Sequence, residues 1–234
     1  MIKDIVKNLK PSSTLRINEI SKDLEKEGKN IYKFGFGQSP FEIPKDVVSE
    51  LKNSAHQNKY LSMQGLNELR VAVSKYENKK KNQNYKAENI IIGPGTKELM
   101  FLLQILFDGE VILPAPSWVS YAPQSILSRN KFHWIKTSSE NNWFPTAEEI
   151  EKIVLKNKDK NFLLFLNSPN NPSGQICSNL QEISNIAKKY NILILSDEIY
   201  SELSFNNNYK SISEFYPENT IVSNGLSKWC GAGG

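Results

Sequence analysis

Apolar and polar positions along the chain follow two periods. From Glu88 onward short runs of Ile, Leu, Val and Phe alternate with stretches whose apolar residues recur at helical spacing. The runs predict strands at Ile90–Ile92, Val111–Leu113, Phe132–Ile135, Phe162–Leu166, Ile192–Leu195 and Thr220–Ser223. Helices are predicted between them at Thr96 to about Phe107, Tyr121–Leu127, Ala147–Leu155 and Leu180–Tyr190. Strands apolar along their whole length belong in a sheet covered on both faces, so the fold expected is α/β, a three-layer α/β/α sandwich with a mostly parallel sheet. Upstream, Ile17, Ile20 and Leu24 form a helical face that ends at Gly28, and Ile31–Phe36 reads as a short strand. Pro44 opens a helix with Val47, Val48, Leu51 and Ala55 on one face; another follows from about Leu66 with Leu69, Val73 and Tyr76 inward.

In a parallel sheet ligands gather beyond the carboxyl ends of the strands, and the loops found there are unusual. Gly93-Pro-Gly-Thr-Lys-Glu98 opens a helix, where unpaired amides and the positive dipole end suit a phosphate; Gly95 and Thr96 are its donors, since Pro94 has no amide proton. A plain turn capped by Thr96 is the competing reading. The loop lacks the Lys-Ser/Thr pair of a P-loop and the third glycine of a dinucleotide fingerprint. Pro114-Ala-Pro-Ser-Trp118 presents an indole on a stiff loop, suited to stacking on a flat ring or to plugging the core. Pro172 restrains Asn171 in Asn167-Ser-Pro-Asn-Asn-Pro-Ser-Gly174. Asp197 in Ser196-Asp-Glu-Ile-Tyr200 follows a buried strand directly, a costly position without a cationic or donor partner. Lys228 lies in a polar, Gly-rich turn after the last apolar run. Its neighbours Leu226, Trp229 and Cys230 would exclude water, and a desolvated amine loses its proton more readily, as a nucleophilic lysine must. Turn chemistry and helix capping can explain each loop singly; Asn171, Asp197 with Tyr200, and Lys228 at three strand ends are harder to explain so. Phe34-Gly-Phe-Gly-Gln-Ser-Pro-Phe41 fits either a ligand wall or an ordinary turn.

Composition narrows the function classes. With 39% apolar residues in 234, the chain can bury a real core. Its net charge of +4 is dispersed apart from Lys79-Lys80-Lys81, which disfavours nucleic acid as a partner. No apolar run approaches a membrane span, and the charged start Met1-Ile-Lys-Asp is unlike a leader, so a cytoplasmic location is the default. Cys177 and Cys230 lack zinc-site spacing and read as reduced thiols, and no metal is expected. Asn206–Asn208 reads as a surface loop.

Ser-Pro-Asn-Asn-Pro-Ser-Gly, Ser-Asp-Glu-Ile-Tyr and Asn-Gly-Leu-Ser-Lys, in that order behind Gly-Pro-Gly-Thr, resemble the class I/II aminotransferases, the fold type I enzymes that use pyridoxal 5'-phosphate. The resemblance runs from about Phe34 to the last residue. It implies that Lys228 is the covalent anchor of the cofactor and moves the proton at the substrate α-carbon, that Asp197 pairs with the pyridinium nitrogen, and that Asn171 and Tyr200 hold the phenolic oxygen. It further implies ring stacking by Trp118, a phosphate loop of Gly95, Thr96 and Lys97, a backbone position near the substrate carboxylate at Gly37, and Tyr60 reaching the phosphate of a second subunit in a homodimer. The reaction implied moves an amino group between an amino acid and a 2-oxo acid; a pyridoxal-phosphate lyase of the same fold, or a non-catalytic α/β binding module, is the alternative. Two departures stand out. Many relatives carry a phosphate-binding serine where this chain has Gly225, with Ser227 beside the lysine instead, and the family continues past the position of Gly234. The resemblance therefore implies an arm at 1–40 that belongs to a small domain, a cofactor-binding large domain at 41–234 that is incomplete, and an inactive segment when taken alone.

Overall fold

The computed structural model describes residues 4–7, 9, 13–35, 37–81, 83–205 and 209–233. The predicted loop Asn206–Asn208 and Phe36, the last residue of one predicted strand, lie outside them. Five strands, β1 (Glu110–Ala115), β2 (Phe132–Lys136), β3 (Phe162–Asn167), β4 (Leu193–Asp197) and β5 (Thr220–Ser223), form one sheet in the order β2-β1-β3-β4-β5. All neighbours pair in parallel. Helices α1 (Asp4–Lys7), α2 (Ser13–Lys26), α3 (Lys45–Ser54) and α4 (Asn67–Lys81) precede the sheet, while α5 (Thr96–Leu106), α6 (Tyr121–Ser128), α7 (Ala147–Lys156) and α8 (Leu180–Lys189) alternate with its strands.

Side-chain alternation along the strands divides the core in two. Ile112, Leu164, Leu166 and Ile194 pack on one face with Ile150 and Val154 of α7 and Ile183, Ile186 and Ala187 of α8. Val111, Leu113, Leu163, Phe165 and Leu195 pack on the other with Met100 of α5 and Tyr121 of α6. This is the three-layer sandwich, and each fully buried Leu, Ile or Phe contributes about 1.5–3 kcal/mol to holding it together. The order turns back on itself between β1 and β3, the place in such sheets where a crevice forms.

Two predicted strands are absent. Residues 90–92 run without a ladder, and their bond to another segment is the Ile92 amide donating to the Gln64 carbonyl at 3.0 Å. Residues 31–35 are likewise outside any strand. Both have strand composition, but a strand forms only where a neighbour presents its edge. The amphipathic readings of α3 and α4 also need correction. None of α3 is buried, and Val47 and Leu51 are exposed. In α4 Leu69 and Tyr76 are exposed, and the buried stripe is Ser74, Glu77 and Lys81, a polar face. Gly28, at φ +82, ends α2 as expected of a residue just past a helix.

Candidate active site

The sheet register gathers the site. Asn167 is level with Asp197 and Asp197 with Ser223, so the last residues of β3, β4 and β5 form one row at the carboxyl edge. The following loops are tied to that row: the Ser168 amide donates to the Asp197 carbonyl at 3.1 Å, and the Glu198 amide to the Ser223 carbonyl at 2.8 Å.

Asp197 is 4% exposed. Its Oδ2 accepts from the Tyr121 hydroxyl at 2.5 Å and its Oδ1 from the Ile199 amide at 3.3 Å. Burial pushes its carboxyl from the ordinary 3.8 up to about 6, Glu198 pushes the same way, and the bonds from Tyr121 and Ile199 together with the charge of Lys228 pull against them. Tyr121 in turn is pushed well above the usual phenol range by burial and by the Asp197 charge. In the sequence Tyr121 reads only as a helix start. Its signal was a tyrosine one turn after Trp118, at the head of a helix on the site side of the sheet.

Asn171 and Tyr200 meet: the Asn171 side-chain amide donates to the Tyr200 hydroxyl at 3.3 Å. Burial raises the pKa of Tyr200, as does the Asp197 charge, while the bond from Asn171 lowers it. Asn171 is held by Asn167, another residue the motifs did not single out. The Asn167 side chain accepts from the Asn171 amide at 2.7 Å and donates to the Asp197 carbonyl at 2.9 Å, fastening the loop after β3 to β4.

Lys228 is half-buried, with Nζ donating to the Gly37 carbonyl at 2.8 Å and lying 5.7 Å from the centre of the Tyr200 ring. Gly37 thus joins the site from a segment 191 residues away. Cys230 is buried, but Leu226 and Trp229 are exposed, so the water-excluding flank expected of all three is supplied by Cys230 alone. They sit on the turn that follows β5, where about half of each side chain stays in solvent.

The Gly93–Glu98 loop abuts the lysine turn. A Cβ on Gly225 would lie 3.4 Å from Ile199 and 3.5 Å from the Thr96 methyl. Gly95, with φ +152, precedes α5 with open space around it: a Cβ there would meet nothing within 4 Å. Lys97 Nζ lies 5.1 Å from the Trp118 ring centre, and Trp118 packs edge-on to Tyr121 at 5.5 Å. Gly37, Gly95, Thr96, Lys97, Trp118, Asn171, Asp197, Tyr200 and Lys228 are therefore linked through this edge of the sheet. Ser227 is exposed, and Tyr60 is fully exposed with no contact to this constellation among the described residues. Among those residues there is no group of three or more metal-ligating side chains, and no helix is long and apolar enough to cross a membrane. Both cysteines are free and buried, and burial pushes the Cys177 thiol up to about 12.

A buried carboxylate, a lysine amine, a paired amide and phenol and an open helix start thus meet at the carboxyl edge of the sheet. Comparison with known proteins places the chain more narrowly. The family model "Aminotransferase class I and II" matches residues 29–234. The chain is 36% identical to the aspartate aminotransferase of Bacillus sp. (strain YM-2), covering 95% of itself and 59% of that protein. It is also 36% identical to the asparagine–oxo-acid transaminase of Streptococcus mutans, with coverage again 95% and 59%. Among solved structures, the aspartate aminotransferase of Thermotoga maritima superposes with a TM-score of 0.89 at 27% identity, covering 97% of this chain and 62% of that one. The chain belongs to the class I and II aminotransferase family. It spans about three-fifths of the length of the relatives it matches.

Proposed function

We propose that the chain carries the cofactor site of a pyridoxal-phosphate-dependent aminotransferase, which moves an amino group between an amino acid and a 2-oxo acid. The observation that carries this reading is the convergence of Asp197, the Asn171–Tyr200 pair and Lys228 at one edge of the sheet. The residues present fit the cofactor. Burial makes the Asp197 carboxylate costly as it stands, and a protonated ring nitrogen is the partner that would relieve it. The open helix start at Gly95 and Thr96 suits a phosphate, with Lys97 beside it.

When bound, the cofactor supplies an electron sink that stabilises negative charge at the substrate α-carbon. Asp197 would keep the ring nitrogen protonated, with Tyr121 and the Ile199 amide holding that carboxylate in place. Tyr200 and Asn171 would hold the phenolic oxygen, Trp118 would cover the ring, and Ser227 would add to the phosphate contacts. Lys228 would anchor the cofactor and carry the proton at the substrate α-carbon, with the Gly37 backbone near the substrate carboxylate. Similarity to an aspartate aminotransferase and to an asparagine–oxo-acid transaminase favours aspartate or asparagine as the amino donor.

Tyr60 is assigned to the phosphate of a second subunit. The exposed Tyr60, Leu61 and Met63, an apolar cluster at the surface, support a homodimer. Residues 1–40 are assigned to a small-domain arm and 41–234 to the cofactor-binding domain, working in the cytoplasm in amino-acid biosynthesis. The protein expressed from its complete coding region should transfer the amino group of aspartate or asparagine to a 2-oxo acid. Release of pyruvate and ammonia without amino transfer would instead identify a lyase.

A further inference from the structure

The turn that carries Asp197 and Tyr200 has a second foundation, away from the cofactor site. Glu198 is 0% exposed, and its carboxylate accepts from Ser196 Oγ at 2.9 Å, from Ser211 Oγ at 2.5 Å and from the Tyr209 hydroxyl. It pairs with Lys81 Nζ at 2.7 Å. Lys81 closes α4, is 3% exposed, and pairs one helical turn back with Glu77 at 2.5 Å. Beside it Lys80 pairs with Glu202, which also accepts from the Tyr76 hydroxyl. The end of α4 therefore grips the chain two residues before Tyr200 and two residues after it. Two lysines of the Lys79-Lys80-Lys81 cluster, Lys80 and Lys81, are used in this grip.

A buried ion pair is an expensive way to hold two elements together, because an apolar contact of the same size stabilises as well or better without desolvating two charges. What the pair adds is direction: a carboxylate set between three hydroxyl donors and a buried ammonium has one orientation. Burial acts to lower the Lys81 pKa, but the Glu198 and Glu77 carboxylates outweigh it, so the lysine stays charged and the pair persists. The backbone between the grips is short and bonded to itself, with the Ser201 amide donating to the Glu198 carbonyl and the Leu203 amide to the Tyr200 carbonyl, both at 2.9 Å. An orientation imposed on Glu198 therefore passes directly to its neighbour Asp197 and to Tyr200.

We propose that Lys81 is a positioning residue of the cofactor site, which fixes the turn from Asp197 to Tyr200 through its buried pair with Glu198 and so aims the two side chains that face the ring. The proposal rests on the cofactor reading above, and its test separates the two. The protein from its complete coding region is prepared as wild type, Lys81→Arg, Lys81→Met, and Lys81→Met with Glu198→Gln, the last leaving no uncompensated Glu198 charge if the single lysine variant fails to fold. Amide hydrogen exchange at Ser201 and Leu203 is followed in the cofactor-free proteins, and kcat and KM are followed with pyridoxal phosphate. In the double variant we expect exchange at both amides to rise by about tenfold or more as the turn loosens locally. The loss should fall on kcat, by roughly tenfold for a misaimed site, with KM little changed. Lys81→Arg, which keeps the charge, should recover part of both. Unchanged exchange in the double variant, or faster exchange with a wild-type kcat, overturns the positioning role. A wild-type protein that binds no pyridoxal phosphate overturns the cofactor reading instead, while the exchange result still reports on the grip.

Discussion

The residue at which the site's electrostatics concentrate is Asp197. Its raised pKa means that the folded, cofactor-free protein binds a proton there more tightly than the unfolded chain does. The stability this contributes is fully present below about pH 4 and is lost as pH rises through about 6. A rise from 3.8 to about 6 corresponds to about 3 kcal/mol at most. Comparing the unfolding free energies of cofactor-free wild type and Asp197→Asn from pH 4 to pH 8 should therefore show the variant gaining on wild type up to about pH 6 and level beyond. A flat difference would mean that the carboxylate is not held against its preference. With cofactor supplied, the same variant should keep some binding and lose most turnover, since the phosphate contacts survive while ring protonation does not. Tyr121→Phe acts on the same carboxylate. Losing a bond to a charged group should cost about 1.5–3 kcal/mol near neutral pH and reduce kcat, both measurable in parallel by thermal unfolding and steady-state kinetics.

At the scale of elements, strands and loops differed in how clearly they could be read. The strands β1, β3 and β4 are nearly uninterrupted apolar runs because helices cover both faces, and their period leaves little ambiguity. Ile90–Ile92 has the same composition but no ladder, because pairing depends on a neighbour that local sequence does not reveal. Helix α4 shows the opposite failure: its apolar side is exposed, and its buried side is polar because Glu198 waits beneath it. The spacing of Glu77 and Lys81 hints at such a pair, but only the fold supplies the second carboxylate. Asp197, Asn171 and Lys228 stand out in the sequence because they recur at three strand ends inside the family's motifs, whereas Tyr121 does not, since a tyrosine at a helix start usually serves only the core. The lysine turn yields its own prediction. Gly225 faces Thr96 with ordinary contact distances for an added Cβ, so Gly225→Ser should fit and place a hydroxyl near the helix start. If the phosphate lies there, cofactor affinity should rise by about 0.5–1.5 kcal/mol, readable as a lower Kd in a fluorescence titration.

For the molecule as a whole, the sheet ends at β5, which pairs with β4 alone, and Ile221 on it is exposed. Among the described residues, β5 therefore leaves its outer backbone edge without a ladder. Such edges recruit further strands. Residues 1–234 expressed alone should therefore self-associate in light scattering and should not sustain transamination with excess pyridoxal phosphate. A monodisperse, active 234-residue protein would show that this edge is harmless and that nothing more is needed.

The central claim is that the carboxyl edge of this sheet holds pyridoxal phosphate with Lys228 as its anchor. Borohydride reduction of the protein from its complete coding region, loaded with pyridoxal phosphate and analysed by peptide mass spectrometry, tests it most directly. One phosphopyridoxyl group is expected, on Lys228, and none at any site in a Lys228→Ala variant. An unmodified Lys228, or a label that persists in the variant, would contradict it.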